Sequence, residues 1–336
     1  MGDPVDEGFT MPAEWAPHAR CWMAWPCHPK TFPDLEAARD AYAAVAGAIS
    51  RFEPLTMIAN RDDAEDARKR CGDGIEVLAL EIDDSWTRDT GPTYLVDGRG
   101  GLGGVDWPFN NYGEIDDDYE SDKTLARRML QHTGARRFEA PIVLEGGAIH
   151  TDGRGTLLTT ESVVLNPNRN PGLAKAEAEK VFHAQLGAEK VIWLDKALDV
   201  DSTDGHVDNL ACFVRPGLVA ALAEPDPADS HHAALRENLR RLQLARDATG
   251  RRLEIIEIRQ PGWREFNGRR VCASYINFYI ANGGVIVPVF DDPQDRRAIE
   301  SIERAFPDRE VVAVPGLDIV KSEGCIHCIT QQEPAP

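Results

Sequence analysis

The clearest periodic feature of the chain is a series of β-hairpins. In four places two β-like runs flank a glycine-containing turn, which is typical of a hairpin. The four segments read TYLV-DGRG-GLGGV, GAIHT-DGRG-TLLTT, ACFV-RPG-LVAAL and NFYIA-NGG-VIVPV. Their turn glycines are Gly98, Gly153, Gly217 and Gly283, and the separations of 55, 64 and 66 residues indicate an approximate internal period.

Helical and short apolar segments alternate with these hairpins. Helices are predicted between successive hairpins and after the last one, at 122–132, 173–186, 230–245 and 294–306. Short apolar strands follow, at 191–194, 253–258 and 311–314. Ahead of the first hairpin the pattern predicts a strand at 21–25, a helix at 35–52 and a strand at 55–59. The repeated unit is therefore hairpin, helix, strand.

Five such units predict one closed domain of the α/β class. Each unit is too small to bury its own apolar face, so five of them would close into a ring with a shared central cavity. The ring would be complete if 326–330 paired with the strand at 21–25. Two separate α/β domains are the alternative, but no Pro-, Ser- or Gly-rich linker divides the chain. We therefore predict a single domain over residues 1–336, with approximate units at 11–85, 86–140, 141–200, 201–265 and 266–336.

Composition restricts the partners of the chain. Lys and Arg number 37 against 56 Asp and Glu, a net charge of −19, so small cations are expected partners and nucleic acid is not. No apolar stretch approaches roughly 18 residues, and MGDPVDEGFT lacks a basic and apolar leader, so neither membrane insertion nor secretion is expected. Seven cysteines without dense spacing fit reduced thiols and a cytoplasmic location. A homo-oligomer is left open.

Polar residues collect just before the hairpins. The first three hairpins follow WTRDTGP at 86–92, LEGG at 144–147 and DGHVDN at 204–209, and GCIHCIT stands near the end at 324–330. Taken alone, each motif has a structural explanation, such as a satisfied His-Asp pair, a surface ion pair or a buried thiol. Because each motif arrives at the same point of the repeat, the motifs would converge on the axis of a ring. This coincidence favours a shared site.

One thiol, one imidazole and three carboxylates suit a guanidinium substrate. A deprotonated thiol is a good nucleophile, an imidazole transfers protons near neutral pH, and carboxylates bind a planar cation through paired hydrogen bonds. An anionic or acyl substrate fits less well, because the carboxylates would repel it and no oxyanion-stabilising cluster accompanies the thiol.

Two rival interpretations use the closely spaced Cys325 and Cys328. They are a zinc site completed by His327 or His206, and a redox disulfide. A structural zinc site usually takes two such pairs, and the other cysteines supply no second one. A disulfide would remove the nucleophile. We therefore expect no metal.

The chain resembles the agmatine deiminase family of guanidine-modifying enzymes in the motifs WTRDTGP, LEGGAIHTDGRGTLLTTE, LNPNRNP, TDGHVDN and CIHCITQQEP. The likeness runs from about Met11 to Pro334. It implies a five-bladed, pseudo-symmetric α/β propeller of ββαβ-type units around a central active site, with no metal and no organic cofactor. It also implies hydrolysis of agmatine to N-carbamoylputrescine and ammonia through a covalent cysteine thiouronium intermediate, a step of putrescine and polyamine biosynthesis.

The same resemblance assigns roles to individual residues. The expected catalytic residues are Cys328, His206, Asp89, Asp208 and Glu145, and the expected substrate-binding residues are Trp86, Asp89, Asp208, Asp204 and Ser202. Cys328 would be the nucleophile and His206 the general acid and base, oriented by Glu145. Asp89 and Asp208 would grip the guanidinium.

Three departures from the family pattern concern the far end of the substrate. Ser202 stands four residues before His206, where members acting on agmatine commonly carry an acid. Residues 322–325 read Ser-Glu-Gly-Cys instead of Gly-Gly-Gly-Asn, and 260–270 is shorter than the matching substrate loop. The missing charge would then come from a nearby aspartate, namely Asp199, Asp201 or Asp204.

Three alternatives stay open: a deiminase for arginine or peptidyl-arginine, an amidinotransferase, and a non-catalytic propeller that binds a partner. A deiminase for arginine or peptidyl-arginine would need a partner for the α-carboxylate or room for a peptide. The candidate partners are Arg20, Arg169 and Arg264. An amidinotransferase would share the covalent step but accept an amine instead of water.

Overall fold

The structure of the protein is a computed structural model that describes residues 2–115 and 117–336. Within those residues the strands form a mixed α/β fold with five sheets of three or four strands and one two-stranded ribbon. The strands are β1 (His18–Ala24), β2 (Leu55–Ala59), β3 (Glu76–Ala79), β4 (Thr93–Val96), β5 (Leu102–Asp106), β6 (Arg136–Glu139), β7 (Ile149–Thr151), β8 (Thr156–Thr160), β9 (Lys190–Leu194), β10 (Ala211–Arg215), β11 (Leu218–Ala223), β12 (Glu254–Arg259), β13 (Glu265–Phe266), β14 (Arg269–Arg270), β15 (Tyr279–Ala281), β16 (Gly284–Val289), β17 (Glu310–Pro315) and β18 (Gln331–Pro334).

Helices connect and cover these sheets. They are α1 (Leu35–Ile49), α2 (Ala64–Cys71), α3 (Thr87–Thr90), α4 (Asn111–Glu114), α5 (Leu125–Thr133), α6 (Glu161–Val164), α7 (Lys175–Leu186), α8 (His232–Leu244), α9 (Asp295–Ala305) and α10 (Leu317–Val320). The longer helices are amphipathic; α9, for example, buries Ala298, Ile302 and Ala305 at the spacing of one helix face. Among the described residues, no helix is both long and apolar enough to cross a membrane.

Four sheets repeat one topology. The sheets β4-β5-β6, β7-β8-β9, β10-β11-β12 and β15-β16-β17 each consist of an antiparallel hairpin and a third strand parallel to its second strand. Such a parallel strand needs a crossover connection, and a helix supplies it in each case. The four predicted hairpins, with the helix and strand that follow each, are therefore present.

The first sheet joins the two ends of the chain. Its order is β18-β1-β2-β3, with β18 antiparallel to β1 and the other pairs parallel. The prediction that 326–330 would pair with the first strand is wrong, because those residues form turns and the paired strand begins at Gln331. The turns are held instead by loops: His327 N–H donates to the Asn277 carbonyl at 3.2 Å and Arg88 N–H to the Cys328 carbonyl at 3.2 Å.

The edge of this first sheet was not predicted. Strand β3 and the preceding helix α2 add a fourth strand parallel to β2. The residues of β3 are half-buried or exposed, whereas those of β2 are all buried. A short, partly exposed strand carries little hydrophobic pattern, so the sequence contains no strong signal for it. The proposed unit boundaries remain a prediction.

The hairpin turns depend on glycine in the left-handed region. The four turn glycines have φ values between +64° and +81°. An L-residue with a Cβ atom is strained in this region by about 1–2 kcal/mol. This requirement explains why glycine recurs at the same point of each repeat.

Two glycine substitutions should shift stability in opposite directions. Gly98 has φ +64°, whereas Gly47 lies in α1. A Cβ atom at either position would meet nothing within 4 Å, so steric crowding does not distinguish the two substitutions. We expect Gly98→Ala to lower the free energy of unfolding by about 1 kcal/mol. Gly47→Ala should raise it by about 0.5–1 kcal/mol, because alanine has the higher helix propensity. Urea denaturation measures both, and a stabilising Gly98→Ala would contradict the role of the turn.

Candidate active site

The predicted site residues lie directly before the first strand of successive sheets. Asp89 lies in α3, ahead of β4, and Glu145 lies ahead of β7. His206 and Asp208 lie ahead of β10, and Cys328 lies ahead of β18. Because the sheets share one topology, side chains at this point of each repeat are delivered to a common place.

Gly147 marks the point where three of these side chains meet. A Cβ atom on Gly147 would lie 2.5 Å from His206 Nδ1, 2.9 Å from Asp89 Oδ1 and 3.0 Å from Asp208 Oδ2. A Cβ on the preceding Gly146 would lie 2.1 Å from the Arg88 carbonyl oxygen. The two glycines therefore allow the loop after Glu145 to pass close to α3, and any side chain there would displace the site.

His206 is buried between two carboxylates. Its Nδ1 lies 3.7 Å from Asp89 Oδ1 and its Nε2 lies 3.7 Å from Glu145 Oε2, and neither nitrogen has a hydrogen-bond partner among the described residues. Burial opposes the charged ring, but Asp89, Glu145 and Asp208 outweigh it and raise the pKa of His206 to about 9. Burial raises the pKa of Asp89 to about 6 despite the attraction of His206. The imidazole is therefore protonated at neutral pH and can act as an acid.

Glu145 is held by a buried arginine. Arg169 Nε donates to Glu145 Oε1 at 2.8 Å, and both side chains are fully buried. Burial alone would favour the neutral acid, but His206 and Arg169 lower the pKa of Glu145 below its usual value. Asp204, which we expected to bind substrate, instead pairs with Arg169 Nη1 at 2.6 Å. This arrangement leaves Glu145 Oε2 turned toward His206.

Cys328 has an amide donor and a carboxylate beside it. Asn277 Nδ2 lies 3.1 Å from Sγ, and Sγ lies 3.6 Å from Asp208 Oδ2. Burial, with the negative charges of Asp208 and Asp89, raises the pKa of the Cys328 thiol well above its ordinary value. Cys328 is therefore a neutral thiol at neutral pH. The contacts through Asp208 and Gly147 bring the sulfur and the His206 ring into one small site.

Asp208 has one engaged oxygen and one without a partner. Its Oδ2 accepts from His327 Nδ1 at 2.9 Å as well as from the thiol, whereas Oδ1 is buried and has no hydrogen-bond partner among the described residues. Burial works against ionisation, but His327 and His206 lower the pKa of Asp208. A buried acceptor without a partner is costly unless a ligand supplies the donor, so Oδ1 indicates a binding position for a cation with N–H groups.

One cluster of side chains is of a type that can bind a metal ion. It consists of Glu14, His150 and His327, whose ligand atoms lie within 4.8 Å of one another. Their contacts are nevertheless those of a hydrogen-bond network. The Phe213 N–H donates to His150 Nδ1 at 3.2 Å, so the neutral ring carries its proton on Nε2 and offers no lone pair there. That Nε2 lies 3.2 Å from Glu14 Oε2 and donates to it. The cluster does not fit a metal centre.

Cys325 also fits a zinc site poorly. It lies in the hydrophobic core, and burial raises the pKa of its thiol to about 12. Zinc takes cysteine as the thiolate, which this environment disfavours. Cys325 and Cys328 are both free thiols. The role of Cys325 is therefore packing.

A cavity of about 530 Å³ opens beside the site. Trp86 and Ser202, both expected to bind substrate, line it, together with Asp84, Tyr112 and Glu323. Tyr112 connects the cavity to the buried carboxylates, because its hydroxyl donates to Asp89 Oδ2 at 3.0 Å. The cavity therefore provides a path from the surface toward Asp89.

Several functional contacts were not predicted from the sequence. Asn277 stands just before the fourth hairpin, at the same point of the repeat as the predicted residues, so the period itself contains the signal for it. Tyr112 lies in α4, Arg169 lies in the motif LNPNRNP, and Glu14 lies more than 130 residues from its imidazole partners. The contacts of these three residues with the site join separate parts of the chain, so the sequence does not show them.

Known proteins share this architecture over nearly its full length. The solved agmatine deiminase of Enterococcus faecalis superposes with a TM-score of 0.96 at 35% identity, covering 100% of this chain and 98% of that chain. A C. jejuni agmatine deiminase variant solved with substrate bound gives a TM-score of 0.88 at 26% identity, covering 97% and 96%. The agmatine deiminase of Pseudomonas aeruginosa (strain LESB58) is 44% identical over 358 residues, 99% of this chain and 97% of that protein.

The fold, the site and these relatives define a hydrolase of the guanidine-modifying class, which acts on carbon–nitrogen bonds. The sequence model of the Porphyromonas-type peptidyl-arginine deiminase family matches residues 10–334, and the chain belongs to this family. The relationship to the agmatine deiminases that the motifs predicted is confirmed.

The buried ion pair of Arg169 and Glu145 should matter far more for stability than an exposed pair. We expect Arg169→Met to lower the free energy of unfolding by about 3–5 kcal/mol, because it removes the cation that is hydrogen-bonded to the buried Glu145 carboxylate. The loss should shrink as the pH falls, since protonation neutralises Glu145. Urea denaturation at two pH values measures both effects.

The matched control is Arg296→Met. Arg296 Nε lies 2.9 Å from Glu300 on α9, but the arginine side chain is 90% exposed. Exposed pairs of this kind contribute about 0.3–0.5 kcal/mol. Equal losses in the two variants would contradict the buried role of Arg169.

Proposed function

We propose that this protein hydrolyses agmatine to N-carbamoylputrescine and ammonia. The observation that carries the proposal is the convergence of His206, Asp89 and Asp208 around Gly147, with the Cys328 thiol on Asp208. Relatives named agmatine deiminases, 44% identical over nearly the whole chain, support the choice of substrate. The buried oxygens that have no partner among the described residues support a substrate rich in N–H donors.

In the first half-reaction Cys328 gives its proton to solvent when the cation binds, and the resulting thiolate attacks the guanidinium carbon. Asp89 and Asp208 hold the guanidinium nitrogens, and the carbon–nitrogen double bond opens to give a tetrahedral adduct. His206, protonated and held between two carboxylates, gives its proton to the departing nitrogen. Ammonia leaves, and a thiouronium group remains on the sulfur.

In the second half-reaction water replaces the sulfur. His206 is now neutral and takes a proton from the water as the oxygen attacks the thiouronium carbon. The carbon–sulfur bond breaks, the electron pair returns to Cys328, the remaining hydroxyl proton passes to the sulfur as the C=O bond forms, and the ureido product leaves. Glu145 orients the imidazole in both steps, and Trp86 lines the channel to it.

The five sheets support a propeller, with each sheet as a blade around this site. Four sheets share one topology and the fifth is completed by β18 from the opposite end of the chain. Each sheet contributes a polar residue from the turn before its leading strand: Asp89, Glu145, Asp208, Asn277 and Cys328. A ring places five equivalent turns around one axis, which accounts for their convergence.

The far end of the substrate meets both acids and bases in the cavity. Asp84 and Glu323 are acidic lining residues beside Ser202, and burial raises the pKa of Asp84 to about 6. Asp201 is used internally, accepting from the Thr203 hydroxyl at 2.5 Å. The basic lining residues are Lys30, Arg269, Arg270 and Lys321.

The arginines that we expected to meet an α-carboxylate are engaged elsewhere. Arg20 pairs with Glu76 at 2.9 Å, and Arg264 pairs with Asp292 at 3.0 Å. Arg169 is held by Glu145. These pairs favour agmatine, which has no α-carboxylate, over arginine.

A substrate panel tests the proposed function. We expect ammonia release from agmatine to exceed that from arginine, shorter guanidino compounds and an arginine peptide, without any added amine. Cys328→Ser should abolish release but retain agmatine binding, because the carboxylates remain. Release only when an amine is added would identify an amidinotransferase, and full activity in Cys328→Ser would contradict the covalent mechanism.

The substrate cation should help to ionise its own nucleophile. Nearby carboxylates keep Cys328 protonated, and a bound guanidinium offsets their charge. We expect iodoacetamide to alkylate Cys328 slowly at pH 7.5 and faster with guanidinium chloride present, as measured by mass spectrometry. Tetramethylammonium chloride at the same ionic strength is the control, since it lacks N–H donors. Slower alkylation with guanidinium would count against this activation.

A further inference from the structure

His327, the residue before Cys328, lies between two carboxylates. Its Nδ1 is 2.9 Å from Asp208 Oδ2 and its Nε2 is 3.0 Å from Glu14 Oε2. An ionised carboxylate only accepts hydrogen bonds, so both ring nitrogens must donate. His327 is therefore a buried imidazolium ion, with 3% of its surface exposed.

Glu14 is anchored from two sheets. The Ile280 N–H in β15 donates to Glu14 Oε1 at 2.8 Å. His150 donates to Oε2 and is itself fixed by the Phe213 N–H in β10. Glu14 is therefore a rigid acceptor for the His327 ring, not a mobile acid.

The charged groups around His327 favour its protonated form. Burial opposes the positive charge of the His327 ring, and so does Arg88, whose Nε lies 3.3 Å from the His327 carbonyl oxygen. The ring of His150 lies 6.3 Å from the ring of His327. Glu14 and Asp208 outweigh these effects, so the pKa of His327 is raised. The same contacts help to keep the pKa of Glu14 well below its usual value, against the effect of burial.

The two guanidinium-binding acids of the proposed mechanism have unequal surroundings. Neighbouring carboxylates tend to share one proton, because both cannot ionise at low cost. Asp208 has the His327 cation bonded to it and its pKa is lowered, whereas Asp89 has the Tyr112 hydroxyl and a backbone N–H as donors and its pKa is raised. His327 thus makes Asp208 the more acidic of the two and fixes its Oδ2, leaving Oδ1 to accept.

We propose that Glu14 and His327 are positioning residues that keep the Asp208 carboxylate ionised and turned so that its Oδ1 receives a guanidinium N–H. This role rests on the proposed function, in which Asp208 binds the substrate. Neither residue touches the reacting atoms; each acts through Asp208.

Glu14→Gln tests this linkage. The amide has nearly the same shape but lacks the charge, so His327 loses its proton at a lower pH and Asp208 loses its fixed cation. We expect kcat/KM to fall about 10- to 100-fold, as for other residues that orient a reacting group. Because His327 must be protonated, the alkaline limb of the pH profile should move to lower pH. Agmatine binding to the Cys328→Ser protein should weaken when Glu14→Gln is added.

Glu53→Gln is the matched control. Glu53 is a buried carboxylate that accepts from the Tyr279 hydroxyl at 2.6 Å and from His18 Nδ1 at 3.0 Å, and the other nitrogen of His18 lies 2.6 Å from the Glu14 carbonyl oxygen. This variant disturbs the backbone of Glu14 but not its carboxylate. We expect kcat/KM to fall far less and the alkaline limb to stay in place. Equal losses in both variants, with no pH shift, would overturn the proposal.

The charge state of His327 can also be measured in the unmodified protein. We expect ¹⁵N NMR of histidine-labelled protein at about pH 8 to show both nitrogens of His327 protonated, with the signal assigned by its loss in His327→Gln. A neutral His327 at that pH would overturn the proposal even if Glu14→Gln failed to fold. If the unmodified protein releases no ammonia from agmatine, the proposed function is wrong. The NMR experiment then still measures the protonation state of His327, independently of that activity.

Discussion

The centre of this protein is organised by the need to keep several carboxylates ionised away from water. Among the acids buried there are Glu14, Asp89, Glu145 and Asp208. A buried charge is tolerated only when cations and hydrogen bonds replace the water it has lost. Arg169 forms an ion pair with Glu145, and His327 forms ion pairs with both Asp208 and Glu14. The site is thus a balanced set of charges, in which each side chain depends on at least one other.

The repeated topology makes such a set structurally possible. Each sheet begins with a turn that points a polar side chain at the same place, and strands behind these turns, such as β8 and β11, are buried at every position. The polar groups are therefore held by rigid elements and not by long loops. Glycines complete the fit, since a side chain at Gly147 would overlap His206.

The sequence predicted what is local or periodic and missed what is distant. The hairpins follow from turn glycines and apolar runs, and the constant place of the polar motifs in the repeat indicated a shared site; the five expected catalytic residues came from the resemblance to the agmatine deiminase family. The contact of Glu14 with His327 was missed, because it spans 313 residues. The last strand was misplaced for a related reason: Ile326 and Ile329 are apolar because they are buried beside the site, whereas the polar β18 forms the pairing.

The charge balance also bears on which group gives up a proton when a guanidinium binds. His327 is held between two carboxylates and His206 lies between two others, so removing a proton from either ring would leave acids unpaired. The Cys328 thiol donates to Asp208, and an arriving cation offsets the negative charge of that carboxylate. Loss of the thiol proton then restores the charge of the site to its value before binding. The imidazolium of His206 therefore retains its proton until the ammonia leaves. The charge balance that allows the acids to be buried thus also assigns the roles of nucleophile and general acid to different residues.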